Sequence, residues 1–159
     1  FGRVGTRRGS GIVVDDVDGL QLGDQPHVAG VVYAAVSDQN GGFYIGGRFT
    51  AVGGLPRQNL AHLLADHGVD PFWAPTTDAP VRTLLLSGSD VIVGGDFTQI
   101  SGVTRGRIAK VNATTGAVNP NWKPNADEGP VLAWCLTARA LLSVETFFKL
   151  VHSTEHDLR

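Results

Sequence analysis

The stretch IVGGDFTQISG, residues 92–102, has the same skeleton as YIGGRFTAVGG, residues 44–54. Aligning the glycine pairs of the two stretches, Gly46-Gly47 and Gly94-Gly95, gives a period of 94 − 46 = 48 residues. Self-similarity at a fixed spacing is the signature of a repeat architecture, in which each copy is one structural unit. The chain therefore contains at least two copies of one unit.

The similarity continues well beyond the glycines. Phe49 aligns with Phe97, Gly54 with Gly102, Arg57 with Arg105 and, after one inserted residue, Trp73 with Trp122. In the second copy, β-branched and alternating apolar patterns predict strands at 81–86, 91–100, 106–112 and 117–122, separated by short turns. Four strands in a repeat of roughly 40–50 residues are typical of a propeller blade. The predicted fold is all-β, a fragment of a β-propeller with two four-stranded blades.

The repeat divides the chain into four segments. Residues 1–29 form an N-terminal segment and opening strand, 30–79 the first copy, 80–129 the second, and 130–159 the start of a third. A closed propeller needs at least four blades, so we expect further blades in the full-length protein.

The repeated positions have expected structural roles. A glycine inside a strand marks a bulge or the close approach of another backbone, so Gly46, Gly47, Gly94 and Gly95 are predicted packing positions. Phe49 and Phe97 are expected to return each strand to the core between blades. Trp73 and Trp122 are expected to cap the outer strand of each blade, and Gly54 and Gly102 complete the set of structural positions.

With these residues in view, the chain resembles the delta-60 repeat β-propeller family of bacterial surface and secreted proteins. The resemblance rests on YIGGRFTAVGGLPRQNLAHLLADHGVDPFWAP and VIVGGDFTQISGVTRGRIAKVNATTGAVNPNWKP, and covers roughly residues 26–133. It implies a cell-envelope or extracellular setting, and it brings no established catalytic residues. Arg48 departs from the acidic residue that Asp96 supplies, which argues against a metal role for that position.

The third copy begins at residues 129–133, GPVLA, and then loses the repeat pattern. Back-translation of the residues from Trp134 onward in a shifted frame permits LVLDGSSVVVGGDFFQIG, which restores it. We hypothesise that a one- or two-base insertion or deletion lies near Ala133 or Trp134, so that residues 134–159 are an out-of-frame tail. Sequencing the gene across these codons tests this, and an intact reading frame there contradicts it.

Composition excludes several classes of function. A net charge of −2 gives no general field for nucleic acid, and no apolar run approaches the roughly 20 residues of a membrane helix. The single cysteine, Cys135, excludes an internal disulfide framework and a multi-cysteine zinc site.

No motif specifies a catalytic, cofactor or metal site. GGDF at 94–97 lacks the second acidic residue of a nucleotide cyclase, and DDVDG at 15–19 lacks the glutamate that would close a calcium loop. His27, His62 and His67 have no metal-ligand spacing. His62 aligns with Lys110, which predicts a solvent-facing strand position.

The sequence therefore predicts a non-catalytic module for binding or scaffolding, with a glycan or a protein at the cell surface as the possible partner. Arg57 and Arg105 are speculative ligand-face residues for an anionic glycan, and a salt bridge or a carbonyl contact is the alternative expectation for them. The rival class is a propeller hydrolase or quinoprotein with its active site in other blades. Functional residues in such an enzyme should break the repeat symmetry on one face, whereas the blades of a scaffold should stay interchangeable.

Overall fold

The computed structural model describes residues 25–124 and, as backbone alone, residues 134–136 and 141–143. All the regular secondary structure in these residues is β-strand, which confirms the all-β prediction. The first repeat contains β1 (Val28–Ser37), β2 (Phe43–Val52), β3 (Leu55–Pro56) and β4 (Leu60–Leu63). The acidic stretch 15–19 lies outside the described residues.

The second repeat has the same plan. It contains β5 (Val81–Ser87), β6 (Asp90–Gly95), β7 (Gln99–Ile100), β8 (Val103–Thr104) and β9 (Ile108–Asn112). In each repeat three antiparallel strands form a meander, ordered β1-β2-β4 in the first and β5-β6-β9 in the second. The registers agree, since Gly46 pairs with Leu60 and Gly94 with Ile108.

The fourth strand of each repeat is shorter than predicted. It consists of one bridge, Leu63 with Val69 in the first repeat and Val111 with Val118 in the second. The predicted strand 117–122 ends early because Pro120 has no N–H to donate. The side chain of Asn119 also accepts hydrogen bonds from the backbone N–H groups of Asn121 and Trp122, which turns the chain away from the sheet.

The predicted strand 91–100 is interrupted. β6 ends at Gly95, and the chain resumes in the separate β7-β8 hairpin. The cause is Asp78, whose carboxylate accepts hydrogen bonds from the N–H groups of Thr98 and Gln99 at 2.9 Å each. These groups are therefore satisfied by a side chain and not by a neighbouring strand.

Gly54 and Gly102 lie in tight two-residue turns. Val52 pairs with Leu55 and Ile100 with Val103, and the two residues between the partners have positive φ in both repeats. At Gly54 and Gly102 themselves φ is +80° and +75°. Two consecutive positive φ values define the hairpin turn that matches strand twist, and they favour glycine.

Gly47 and Gly95 lie against neighbouring backbone. A β-carbon at Gly47 would overlap the carbonyl oxygen of Val31 and lie 2.9 Å from the Cα of Val32. A β-carbon at Gly95 would overlap the carbonyl oxygen of Pro80 and lie 2.9 Å from the Cα of Val81. Both positions adjoin a register shift in the first strand of the repeat. Glycine therefore lets two strands approach closely at a bulge.

The cores show that each repeat has two faces with different partners. One core combines residues of both repeats, with the first supplying Val36, Tyr44, Leu60 and Trp73 and the second supplying Val81, Val91, Val93, Phe97, Ile100, Ala109 and Val111. We call the face of a repeat that contains Tyr44, or its equivalent, the forward face, and the opposite one the rear face. The forward face of the first repeat packs on the rear face of the second.

The remaining cores repeat this arrangement. Leu85, Ile92, Ile108 and Trp122 cluster on the second repeat, at positions equivalent to Val36, Tyr44, Leu60 and Trp73. Phe49 lies in a core with Ile45, Val52 and Ala61, the equivalents of the rear-face residues around Phe97. The faces of one repeat therefore recur on the other.

The segment that follows the start of the third copy also forms strands. The backbone of β10 (Trp134–Leu136) pairs with that of β11 (Leu141–Ser143). Its pairs, from Trp134 with Ser143 to Leu136 with Leu141, equal those of the β5-β6 hairpin shifted by 134 − 84 = 50 residues. The out-of-frame origin of this segment stays a hypothesis, and the rest of residues 125–159 lies outside the described residues.

Candidate functional site

Arg57 and Arg105 are buried, with 8% and 6% of their surface exposed. Each guanidinium donates to two backbone carbonyls: Arg57 to Pro56 and Asp70, both at 2.7 Å, and Arg105 to Thr104 at 2.8 Å and Asn119 at 3.0 Å. Asp70 and Asn119 are equivalent residues at the outer turns. Each arginine therefore ties a hairpin to the outer turn of its own repeat.

This placement favours the alternative expectation over the speculative ligand face. A buried guanidinium that already serves two carbonyl oxygens has little capacity for an external anion, and the alternative expectation of a carbonyl contact describes both sites. The Nε atoms of Arg57 and Arg105 have no hydrogen-bond partner among the described residues. Because both repeats have the same buried Nε atom without a partner, we regard it as a structural feature of the repeat unit.

Trp73 and Tyr44 connect the two repeats. The indole N–H of Trp73 donates to the carbonyl oxygen of Asn112 at 3.0 Å, and the hydroxyl of Tyr44 donates to that of Ala113 at 2.8 Å. Trp73 is fully buried. Its role is therefore more than a cap on its own strand, because it joins its repeat to the next.

A histidine completes this contact region. The ring of His62 stacks on Tyr44 with centroids 4.3 Å apart and an interplanar angle of 15°. Its Nε2 lies 3.1 Å from an Asp38 carboxylate oxygen, and its Nδ1 lies 3.0 Å from an Asp70 carboxylate oxygen. Each ring nitrogen of His62 therefore lies within hydrogen-bond distance of a carboxylate. We call Asp38, Tyr44, His62, Asp70 and Trp73 the aromatic seam.

The hydrogen bonds of the seam shift the pKa values of its acids. Burial would raise the pKa of Asp38, but donation from the N–H of Asn40, from His62 and from the N–H of Gly42 outweighs it, so the pKa is lowered. The pKa of Asp70 is lowered in the same way, with His62 the largest of the contributions that oppose burial. Burial and the two nearby carboxylates raise the pKa of Tyr44.

The prediction that His62 faces solvent is wrong. Only 8% of its surface is exposed, because the carboxylates of Asp38 and Asp70 satisfy its ring nitrogens inside the fold. The alignment with Lys110 could not reveal these two partners. Lys110 is itself half-buried and pairs with Asp90 at 3.0 Å. Within the residues that the structure describes, no group of three or more His, Cys, Asp or Glu side chains could hold a metal ion.

A second cluster lies where the first strands of the two repeats meet, since β5 packs beside β1 and β2. The guanidinium of Arg82 on β5 stands 4.7 Å from the ring centroid of Tyr33 on β1. The same guanidinium donates twice to one carboxylate oxygen of Asp96, at 3.0 Å and 2.7 Å. This hydrogen bonding outweighs burial and raises the pKa of Arg82.

Arg48 is the equivalent of Asp96 in the first repeat. Arg48 is exposed and lies opposite Val31 in the β1-β2 register. Among the described residues it has no ion-pair partner. Val31 is 37% exposed and Tyr33 40% exposed. We call Val31, Tyr33, Arg48, Arg82 and Asp96 the inner patch.

The inner patch is one of the places where the two repeats differ in charge. Tyr33 aligns with Arg82, and Arg48 aligns with Asp96. The first repeat therefore has an aromatic ring and a cation at these positions, and the second repeat has an ion pair. Sequence reasoning noted Arg48 only as a departure from the family pattern. The missed signal was that Tyr33 and Arg48 lie on neighbouring strands and that both differ from their equivalents in the second repeat.

The comparison with protein families agrees with this architecture. Residues 90–121 match the model of a domain of unknown function, DUF5122, described as a beta-propeller. The chain carries β-propeller repeats. The matched segment runs from β6 to the outer turn of the second repeat and includes Asp96 and Arg105. No curated protein and no solved structure matches the chain. The narrower delta-60 assignment stays a prediction.

Among the residues that the structure describes, no helix has the length and apolar character required to cross a membrane.

Proposed function

We propose that this chain is part of a non-catalytic β-propeller protein that binds a ligand or partner outside the bacterial cell or in its envelope. The envelope setting is supported by the resemblance to bacterial surface repeats. The inner patch is the proposed contact surface for the ligand.

One observation carries this proposal. Many buried positions of the two repeats have the same role, as Arg57 and Arg105 and the paired cores show, and the aromatic seam around His62 is an exception. The inner patch departs from that symmetry at exposed positions. A departure on one face is expected of an active site as well, so the choice of a binding role rests on the residues themselves. Tyr33 and Arg48 supply an aromatic ring and a cation, and Arg48 pairs with no carboxylate among the described residues. Exposed positions that differ between repeats whose cores agree are free to serve contact with another molecule, because the core does not depend on them.

The test is a binding screen with the 159-residue chain. Purified protein is immobilised and exposed to acidic and neutral polysaccharides and to extracellular bacterial proteins. The same screen is run with the double variant Tyr33→Ala, Arg48→Ala, and with Phe72→Ala as a matched control. Phe72 suits this purpose because it is an aromatic residue outside the patch with 88% of its surface exposed.

We expect at least one class of molecule to bind the unmodified chain and the control but not the double variant. Equal binding by all three proteins would contradict the inner patch as the contact surface. Cleavage of a polysaccharide during the screen would contradict the non-catalytic proposal and favour the hydrolase alternative.

A further inference from the structure

We infer that the inner patch binds a ligand that combines a carboxylate with the apolar face of a ring, the chemistry of a uronic acid unit in an acidic polysaccharide. The inference rests on the proposed function and names the ligand class of the same patch.

The charge of the patch supports a single anionic group. Arg82 and Asp96 compensate each other, since one carboxylate oxygen accepts two hydrogen bonds from the same guanidinium. Arg48 has no such partner among the described residues, so the patch keeps one positive charge in excess. A guanidinium matches the planar, two-oxygen geometry of a carboxylate. Arg48 is therefore the proposed carboxylate contact.

The apolar part of the patch supports a ring beside that anion. Tyr33 and Val31 are exposed large hydrophobic residues on β1, and Val31 lies directly opposite Arg48. The Arg82 guanidinium lies over one face of the Tyr33 ring, 4.7 Å from its centroid, and this contact favours the observed orientation of the side chain. A fixed aromatic surface loses little conformational freedom when it covers the C–H face of a sugar ring. Tyr33 is therefore the proposed ring contact.

Other ligand classes fit less well. A nucleic acid needs several cations along its phosphate backbone, and the described patch has one in excess. A neutral sugar would cover Tyr33 but would leave Arg48 without a charged partner. A guanidinium with no ion-pair partner in the described part of the chain, together with an exposed aromatic ring, favours a carboxylated sugar over both.

The experiment compares two forms of one polymer by isothermal titration calorimetry with the 159-residue chain. Oligogalacturonate presents the carboxylates, and its methyl ester presents the same rings without the charge. We expect the ester to bind at least tenfold more weakly than the acid. We also expect affinity for the acid to fall as salt is raised, because an exposed ion pair is screened.

Variants locate the site. Arg48→Asp installs the residue that the second repeat has at this position, so the fold has a precedent for it, and we expect at least a tenfold loss for the acid. Lys123→Asp makes the same change in net charge at an exposed position outside the patch and should bind normally. Tyr33→Ala should lose at least fivefold, and Tyr33→Phe, which keeps the ring, should stay within twofold.

The outcomes separate the inference from the proposed function. If acid and ester bind equally and Tyr33→Ala weakens both, the carboxylate inference is overturned while binding at the patch stands. If Arg48→Asp binds the acid like the unmodified chain, the assignment to Arg48 is overturned. If neither form binds but the wider screen identifies a ligand that depends on the patch, only the ligand class fails. If nothing in that screen binds, the proposed function fails with it.

Discussion

The indole nitrogen of Trp73 lies 3.0 Å from the carbonyl oxygen of Asn112, so the outer turn of the first repeat is joined to the second repeat by a partly buried hydrogen bond. The equivalent residue, Trp122, is only half-buried. One sequence position therefore has two environments in the same chain, and the pair provides an internal comparison of what contact between repeats contributes to stability.

Replacing Trp73 with alanine should destabilise the protein severely. A fully buried tryptophan truncated to alanine costs about 3–5 kcal/mol, and the carbonyl of Asn112 also loses its donor. Trp122→Ala should cost less than half as much, because its side chain keeps contact with solvent. Urea unfolding of both variants measures the difference, and equal losses would show that burial between repeats is not what Trp73 contributes.

Replacing His62 with alanine should leave the carboxylates of Asp38 and Asp70 without their shared hydrogen-bond partner. A buried group left without its hydrogen-bond partner costs about 1–3 kcal/mol, so we expect a loss of at least this size for His62→Ala. His62→Lys installs the residue of the equivalent position Lys110, whose side chain can donate to both carboxylates. This variant should recover most of the lost stability, except for about 1 kcal/mol of stacking on Tyr44. Urea unfolding at neutral pH tests both, and equal destabilisation by the two variants would exclude hydrogen bonding to the carboxylates as the contribution of His62.

Acid should weaken the contacts of Asp38, Asp70 and Asp78. The pKa of each is lowered in the folded state by hydrogen bonds that outweigh burial. The unfolded chain therefore binds these protons more readily than the folded chain. Their contribution is complete above the unfolded pKa of about 4, and it is lost as the pH falls through the lower folded values.

Urea midpoints measured between pH 5 and pH 2 should decrease steadily below about pH 4. Asp78→Asn should flatten this dependence, because its carboxylate accepts from Thr98 and Gln99 in the folded protein. A midpoint that stays constant across this range would contradict the assigned hydrogen bonds.

Adding a single methyl group at Gly47 or Gly95 should disturb the bulge in each repeat. The new β-carbon would overlap a backbone carbonyl oxygen that cannot rotate away, so we expect Gly47→Ala and Gly95→Ala to cost about 1–3 kcal/mol each. Gly54→Asn is the control, since no atom lies within 4 Å of a β-carbon there and asparagine accepts a positive φ. In thermal unfolding, we expect the midpoint temperature of Gly54→Asn to lie well above those of both alanine variants. The reverse order would exclude backbone crowding as the reason for glycine at Gly47 and Gly95.

The sequence predicted the repeat unit and the positions of most strands because glycine turns and alternating apolar residues act locally. It placed β5 at 81–86, and the structure has Val81–Ser87. It placed Gly54 and Gly102 at equivalent positions, and both complete the same turn. Features that depend on residues close together along the chain could therefore be predicted from the sequence.

The side chains of the candidate sites were less accessible because their partners are distant in sequence. His62 is bound by Asp38, which lies 24 residues before it, and that contact reverses the environment expected from its alignment with Lys110. Arg57 reaches Asp70, 13 residues away, and is thereby buried. Arg82 and Tyr33 meet only because two repeats pack side by side.

The recurrence of forward and rear faces gives the contact between repeats a direction, like the head and tail of a monomer in a polymer. In such an array, stability is a sum of nearest-neighbour terms, and a repeat at an end has one neighbour where an internal repeat has two. Unfolding should therefore begin at the ends of an open array and progress inward. Closing the array into a ring would remove the ends, so that the last repeat added contributes two interfaces at once.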